Sequence, residues 1–180
     1  YPNGTAASAR NWAALEAAGG WLIFLDADDE LESGYVSALM KGWGDLRYPR
    51  VRYMPDGWNA NDLLPEVVTL GPKDLTRGNY MVIGTARRKK LFVAAGGFQE
   101  WETYEDWPLL LRETYLGAVP VLHPGAIYRV YRSPGSRISQ TKDAGALCNS
   151  ILKDFKEWAY AINGGETPCE NYKAFLGKNK

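Results

Sequence analysis

Residues 21–25, with the sequence WLIFL, form a short, continuous apolar run that follows two glycines and leads into the acidic stretch DADDE. Such a run, bounded by turn-forming residues, is typical of a buried strand, and parallel sheets are the usual setting of such strands. In open α/β sheets, ligands bind beyond the carboxyl ends of the strands. We therefore expect Asp26, Asp28 and Asp29 to lie in a binding crevice at the end of this strand.

The rest of the chain alternates between helical and extended patterns. Helical patterns cover residues 5–20, 33–42, 87–97 and 105–117, and extended patterns cover residues 49–55, 79–86, 118–122 and 126–132. A final helix is indicated by apolar residues three and four positions apart, which are Leu147, Ile151, Phe155, Trp158 and Ile162. This order predicts an α/β fold with a mostly parallel, Rossmann-like sheet flanked by helices.

The same patterns suggest how the chain is organised. We assign residues 1–140 to a core, and residues 141–180 to a C-terminal amphipathic helix and tail that pack on that core. Residues 55–78 hold turn-forming residues with little periodicity, and we interpret them as a long excursion, which in compact domains is often a binding loop or lid.

The composition argues against several classes of protein. The 180 residues carry 21 basic and 21 acidic side chains and are 46% hydrophobic, which indicates one globular domain with a substantial core. Because the charge is balanced, neither nucleic acid nor an anionic membrane is expected as a partner. Separately, no segment approaches the ~20 apolar residues that a membrane span needs. Cys148 and Cys169 lack the spacing of a zinc site or a disulfide scaffold, and we expect a reducing, cytoplasmic location.

The three aspartates after the apolar run support two interpretations. Asp26 and Asp28 are two residues apart, so both side chains can reach one centre from a tight turn, and carboxylate oxygens suit Mg²⁺ or Mn²⁺. Alternatively, aspartates in a strand-to-helix turn satisfy loose backbone N–H groups. Three acids in four positions repel one another, and this repulsion favours the metal site.

A second acidic stretch, GGFQEWETYEDW, covers residues 96–107. One interpretation is structural, since Thr103 or Asp106 could cap the following helix and an acid in its first turn complements the helix dipole. The other is functional, because Trp101, Tyr104 and Trp107 beside acids form the flat, amphipathic surface on which sugars pack.

Together, these motifs resemble those of family 2 glycosyltransferases, which have the GT-A fold. Residues 3–35, NGTAASARNWAALEAAGGWLIFLDADDELESGY, are similar to that family's series of Asn-Gly, Ala-Arg-Asn, Ala-x-Gly and Leu-Asp-x-Asp-Asp. Residues 78–139 look like its second half, in which Gly-Gly-Phe is followed by Glu-Asp-Trp at the start of a helix and then by a strand rich in Tyr and Arg. The resemblance is specific because several motifs occur in the same order.

The resemblance implies an enzyme that moves a sugar from a nucleotide-diphosphate donor, expected to be a UDP-sugar, to an acceptor hydroxyl that the sequence does not identify. It implies Mn²⁺ or Mg²⁺ as cofactor, ligated by Asp28 with support from Asp26, and direct displacement that inverts the anomeric carbon. Asp106 matches the acid that acts as general base. The implied donor contacts are Arg10, Asn11, Asp26 and Gly97, and the implied acceptor contacts are Trp101, Glu105 and Trp107.

Some positions depart from the family pattern. Gln99 and Pro108 stand where members often carry Asp, and Ser133 or its neighbours stand where many have a histidine that completes the metal shell. His123, the single histidine, is expected to be a structural turn residue. The strand-helix-strand unit that opens the family's fold is not recognisable here, so we expect residues upstream of Tyr1, or a partner chain, to complete the sheet and the base-binding pocket.

Two rival functions come from other classes. A carbohydrate-binding or scaffold module could keep the glycosyltransferase fold without turnover, although both acidic motifs are intact here. A metal-dependent phosphoryl or nucleotidyl transferase would normally show a phosphate-cradling glycine loop with a lysine, and the glycine clusters of this sequence lack that form.

Overall fold

The computed structural model describes residues 4–54, 58–59, 72–131 and 143–164. These residues form a mixed α/β fold in which helices flank one sheet. In chain order the described elements are α1 (Ala6–Glu16), β1 (Trp21–Leu22), β2 (Glu30–Leu31), α2 (Tyr35–Lys41), β3 (Leu46–Met54), β4 (Trp58–Asn59), α3 (Pro72–Leu75), β5 (Ala86–Arg88), α4 (Lys89–Ala94), α5 (Asp106–Tyr115), β6 (Pro120–Tyr131) and α6 (Ala144–Ile162).

Two long strands form the centre of the sheet. β3 and β6 run parallel, with Leu46 opposite Pro120 at one end and Met54 opposite Tyr131 at the other. The described order is β1-β5-β3-β6-β2, with β4 also paired to β3, and the pairs other than β3–β6 are antiparallel. The predicted α/β class is confirmed, but the described sheet is mixed rather than mostly parallel. A continuous apolar run indicates burial and does not specify strand direction.

Strand boundaries also differ from those expected. The WLIFL run contributes only the two residues of β1 to the sheet before the chain continues without regular structure. Residues 79–85, expected as most of a strand, are irregular and include bends and turns, although Met81 and Ile83 are buried there. The two strands expected at 118–122 and 126–132 are one strand, β6. In the first two cases, packing in the folded chain overrides a local strand preference, whereas β6 continues through the turn that was expected to divide it.

The helix that precedes the first acidic motif starts where its sequence predicts, but it ends at Glu16 with Ala17 as its C-cap, before the expected glycines. Thr5 is the N-cap of α1 and forms a capping box with Ser8, which satisfies N–H groups that lack partners within the helix. Gly19 and Gly20 lie in a bend directly before β1. The helix therefore holds Arg10 and Asn11 in fixed positions facing the rest of the fold.

Two hydrophobic clusters hold the described elements together. The first joins α1, α2 and α4 to the sheet, and its large buried members include Leu22, Tyr35, Leu39, Phe92, Phe98 and Tyr128. The second joins β3, α5 and α6, and its large buried members include Leu46, Tyr48, Trp107, Leu110, Ile151 and Phe155. Helix α6 packs on α5, where Arg112 donates to Asp154 at 2.8 Å and the Tyr115 and Phe155 rings lie 5.8 Å apart.

Some expectations concern residues outside the described ranges. These are the features assigned to Tyr1–Asn3, to Ser133, to Cys169, to most of the excursion at 55–78, and to the tail after residue 164. Among the helices that the structure describes, none is both long enough and apolar enough to cross a membrane.

Candidate active site

Three carboxylates meet in the turn that follows β1. Asp26, Asp28 and Asp29 each offer an oxygen, and these oxygens all lie within 4.8 Å of one another. Asp28 is exposed, whereas the other two are half-buried. Carboxylate oxygens at this separation form the hard ligand set that Mg²⁺ and Mn²⁺ prefer, so the residues present fit the expected ion.

The backbone and the end of β6 hold this turn in place. The Asp29 N–H donates to the Asp26 carbonyl at 3.1 Å, and the Asp26 N–H donates to the Tyr128 hydroxyl at 3.3 Å. The Tyr131 N–H donates to the Asp29 carboxylate at 3.1 Å. Burial raises the pKa of Asp29, and the charges of Asp28 and Asp26 raise it further, while hydrogen bonds from Tyr131 and Tyr128 lower it.

Arg10 connects the two acidic motifs. Its guanidinium donates to Asp26 through Nη2, and to Glu105 Oε1 through Nη1 at 2.6 Å. The same group lies over the Phe98 ring, 5.5 Å from the ring centre. Because a planar guanidinium can bind two carboxylates at once, one side chain from α1 fixes both acidic segments relative to each other.

The turn before α5 places the second acidic motif. Tyr104 has a φ of 59°, in the left-handed region that residues other than glycine rarely adopt. Glu105 follows as the N-cap residue without a side-chain capping bond, and its side chain is buried against Arg10. Asp106 is the first helical residue, so neither Thr103 nor Asp106 takes the cap position that the structural interpretation gave them. Backbone strain of this kind is commonly found at functional sites.

Asp106 is the acid whose environment best suits proton transfer. Burial raises the pKa of Asp106 to about 6, and the neighbouring charge of Glu105 acts in the same direction. A hydrogen bond of 3.0 Å from the Asn79 side-chain amide and the charge of Arg87 oppose this rise. A carboxylate with a pKa near the working pH is suited to act as a general base.

Asn11 and Gly97 shape the loop between α4 and α5. The Asn11 amide donates to the Phe98 carbonyl and accepts from the Phe98 N–H, both at 2.8 Å. Gly97 has a φ of +68°, and a Cβ added there would lie 2.6 Å from Asn11 Oδ1. The loop therefore requires glycine at this position, and Asn11 holds the loop to α1.

The family comparison agrees with the motifs of this site. A model of the glycosyl transferase family 2 matches residues 2–94, which is just over half of the 180-residue chain. The chain belongs to glycosyl transferase family 2. The resemblance drawn from the motifs is thereby confirmed. No curated protein matches the chain in a sequence search.

Solved structures show how the fold of this family 2 member compares with others. A crystal structure of S. aureus TarS 1-349 in complex with UDP-GlcNAc matches with a TM-score of 0.68 at 12% identity, covering 92% of this chain and 49% of that one. TarS 1-349 in complex with UDP matches with a TM-score of 0.56 at 15% identity, covering 94% and 57%. This chain therefore spans about half the length of the structures it matches, and the match confirms the GT-A-like fold.

The structure brings most of the predicted site residues together, but not all. Asp26, Arg10 and Glu105 form one connected group, with Asp106 next to Glu105. Trp107 does not belong to an open acceptor surface. It is 3% exposed, packs in the second hydrophobic cluster and donates its indole N–H to the Leu75 carbonyl at 2.7 Å. We correct its predicted role for this reason, since a buried ring has no face for a sugar.

Other predicted residues have partners that explain their positions. Trp101 is half-buried against the second cluster. The His123 ring bonds the Trp43 carbonyl at 3.1 Å and fills the space where a Cβ on Gly42 would stand, as expected of a structural residue. Gln99 donates to the Gly97 carbonyl at 2.6 Å and so supports the same loop as Asn11.

Sequence reasoning missed a buried ion pair behind the site. Arg87 on β5 and Glu113 on α5 are both fully buried and bond at 3.1 Å. Arg87 lies within the basic run ARRKK at residues 86–90, and the composition of this run gives no signal that one of its arginines is buried. Glu113 was detectable, because it lies seven residues after Asp106 and two helical turns return it to the same face of α5.

Proposed function

We propose that this chain is a catalytic part of a metal-dependent, inverting glycosyltransferase that uses a nucleotide-diphosphate sugar. The observation that carries the proposal is the Arg10 bridge, which joins the aspartate cluster to the segment of the half-buried acid Asp106. A donor diphosphate at the cluster and an acceptor hydroxyl at Asp106 would then be held in one site. Family membership supports the reaction class.

The acceptor side performs the proton transfer. The Asp106 carboxylate takes the proton of the acceptor hydroxyl while that oxygen forms a bond to the anomeric carbon of the sugar. The bond from the anomeric carbon to the diphosphate oxygen breaks, and its electron pair leaves with the diphosphate. Attack opposite the leaving group inverts the anomeric carbon through an oxocarbenium-like transition state.

The donor side holds the leaving group. Asp28 and Asp26 are the residues proposed to hold Mn²⁺ or Mg²⁺, with Asp29 beside them. The chemistry that such an ion supplies when bound is neutralisation of the charge that develops on the diphosphate. Because Gly97 has no side chain, the backbone of its loop can lie close to the donor sugar. Trp101 remains the proposed aromatic contact for the acceptor.

The choice of donor rests on a comparison of folds. The TarS structures hold UDP-GlcNAc and UDP, and they make a UDP-sugar the first donor to test here. Three further expectations remain proposals, namely a cytoplasmic location, a core of residues 1–140 with a C-terminal unit at 141–180, and completion of the sheet beside β1 by other residues or a partner chain.

A donor-hydrolysis assay tests the proposal. The 180-residue chain is incubated with a panel of UDP-, GDP- and other nucleotide sugars and Mn²⁺, and release of the nucleoside diphosphate is measured. At least one donor should be hydrolysed. In Asp106→Asn the rate should fall by ~10² to 10⁴ while donor affinity is kept, because an amide cannot take the proton. Glu102→Gln, an exposed acid in the same loop, is the matched control and should keep the wild-type rate.

Two results would contradict the proposal. Donor binding without turnover of any nucleotide sugar would favour the carbohydrate-binding or scaffold module. Equal losses of rate in Asp106→Asn and Glu102→Gln would show that the acids of this loop act through its charge or its folding, and not through proton transfer by Asp106.

A further inference from the structure

The segment at residues 76–85, between α3 and β5, lies beside the first turn of α5. It has neither helical nor strand structure, but contacts on both sides of residue 79 hold it in place. Before it, the Leu75 carbonyl at the end of α3 accepts the indole N–H of Trp107 at 2.7 Å. After it, Met81 is 5% exposed and packs in the second hydrophobic cluster. Asn79, between these two anchors, is therefore held next to the start of α5.

Both polar atoms of the Asn79 side-chain amide have partners, and these partners fix its orientation. Asn79 Nδ2 donates to Asp106 Oδ2 at 3.0 Å, and Asn79 Oδ1 accepts the backbone N–H of Met81 at 3.0 Å. A backbone N–H can only donate, and an ionised carboxylate can only accept. If the amide were turned over, two donors would face each other at Met81 and two acceptors would face each other at Asp106. Asn79 therefore meets the Asp106 carboxylate as a donor.

The other groups that act on Asp106 do not orient its carboxylate in this way. They are the charge of the neighbouring Glu105, the charge of Arg87 on β5 and the backbone N–H of Asp106 itself. Asn79 supplies the side-chain hydrogen bond among these groups. A donor bonded to one carboxylate oxygen restricts rotation of the carboxylate and favours its ionised form. A general base needs both properties, and a base held by a hydrogen bond to a third group is a recurring arrangement in active sites.

We propose that Asn79 is a positioning residue for Asp106: its amide, fixed by the Met81 N–H, holds Oδ2 and leaves Oδ1 to take the proton of the acceptor hydroxyl. The inference rests on the proposed function, in which Asp106 is the base. Without the amide, the carboxylate can rotate away from the acceptor and loses a donor to its ionised form. Proton transfer should then become slower, while donor binding at the aspartate cluster is kept.

The kinetic test introduces Asn79→Ala into two proteins. The substrate is UDP-GlcNAc with Mn²⁺, or the nucleotide sugar of the donor panel that is hydrolysed fastest. In the wild type, kcat/KM should fall by ~10- to 10²-fold with donor affinity by calorimetry unchanged, because the base is no longer aligned. In Asp106→Asn the same change should cost nothing further, since the group through which Asn79 acts is gone. Thr85→Val is the control. It removes a hydroxyl that bonds the Val82 carbonyl at 2.7 Å in the same segment, and it should keep the wild-type rate.

A titration of Asp106 tests the contact without turnover. The 180-residue chain is labelled with aspartate carrying ¹³C at the carboxyl carbon, and the Asp106 signal is assigned by its loss in Asp106→Asn. In Asn79→Ala the titration should move up by about half a pH unit or more, because a donor to the ionised form is lost. In Thr85→Val it should not move. If Asn79→Ala does not fold, Asn79→Asp replaces it, since this variant keeps the size and the bond from Met81. Its second carboxyl in place of the donor should also raise the titration.

The outcomes separate this inference from the proposed reaction. An Asp106 titration that does not move in the folded Asn79 variant overturns the inference. So does an equal loss of rate from Asn79→Ala in the wild type and in Asp106→Asn, because that result describes a structural role in the segment. A shifted titration in a chain that hydrolyses no donor would contradict the proposed function alone, whereas an active enzyme with an unmoved titration would contradict the inference alone.

Discussion

At the scale of single residues, Arg10 has the largest number of roles in this site. It binds one carboxylate from each acidic motif and covers Phe98, although 95 residues separate it from Glu105 in the chain. The sequence motif implied a donor contact for Arg10. The observed bonds add a role in holding the acids, because the guanidinium is shared between Asp26 and Glu105, and the donor contact stays a prediction.

Replacement of Arg10 should therefore affect stability. In Arg10→Met the buried Glu105 carboxylate loses its cation, and we expect the free energy of unfolding to fall by ~1–3 kcal/mol. Arg10→Met combined with Glu105→Gln should recover part of this loss, since the amide carries no charge that needs a partner. Urea unfolding of the three proteins measures the effect. Equal midpoints for Arg10→Met and the wild type would show that the bridge contributes nothing.

Asp28 should affect binding and not stability. It is exposed in the turn, so Asp28→Ala should leave the unfolding midpoint unchanged. Donor affinity measured by calorimetry should lose its dependence on Mn²⁺, because the carboxylate that ligates the ion is gone. Glu16→Ala, an exposed acid on α1, is the control and should keep that dependence. Metal-dependent binding that persists in Asp28→Ala would exclude this residue as a ligand.

At the scale of elements, the loop between α4 and α5 determines where the second acidic motif lies. Gly96 and Gly97 both have positive φ, and Tyr104 adopts the left-handed region shortly before α5 begins. Helix α4 thus stops just before Gly96, the glycine at which its sequence predicts the stop. The rest of the loop depends on contacts with α1, chiefly the two bonds between Asn11 and Phe98.

A methyl group tests how tightly this loop is packed against α1. Gly97→Ala would place Cβ 2.6 Å from Asn11 Oδ1 on a backbone with φ of +68°. We expect the free energy of unfolding to fall by ~1–3 kcal/mol, because left-handed backbone strain and the clash add. Gly20→Ala is the matched control, since a Cβ there meets nothing within 4 Å. Similar urea midpoints for the two variants would mean that the loop adjusts without cost.

At the scale of the whole molecule, stability and activity should respond to pH in opposite directions. Burial raises the pKa of Asp106 to about 6 and that of Glu113 to about 7. An unfolded chain releases these protons at ~4 because no burial opposes ionisation there. Between these values the folded state holds more protons, so its stability falls as the pH rises from about 4 to about 7.

Thermal unfolding measured across this range checks the sign. The wild-type midpoint should decrease with rising pH, and Asp106→Asn should show a shallower decrease because an amide does not titrate. Over the same range the kcat/KM of the wild type should increase as Asp106 ionises. Identical slopes in the two proteins would show that Asp106 ionises in the folded state as it does in the unfolded chain.

Elements with strong local signals were predictable from the sequence. Thr5 starts α1 as expected, the glycines after α4 end it, and the apolar residues of α6 give it a buried face. Strand directions were not predictable, because burial looks alike in parallel and antiparallel strands. The segment at 79–85 has the composition of a strand but forms irregular structure with turns, since its buried residues fill the two clusters instead of pairing in the sheet.

The sequence by itself determined the family, the order of the motifs and the acids that carry the proposed chemistry, because these depend on residue types at short spacings. Only the tertiary structure decided that Arg10 joins the two motifs, that Trp107 is buried and that Arg87 pairs with Glu113 behind the base. The physical reason is the separation along the chain of the residues that interact. A sequence pattern reports neighbours within one helix or strand, whereas an ion pair between distant segments forms only where packing brings two side chains together.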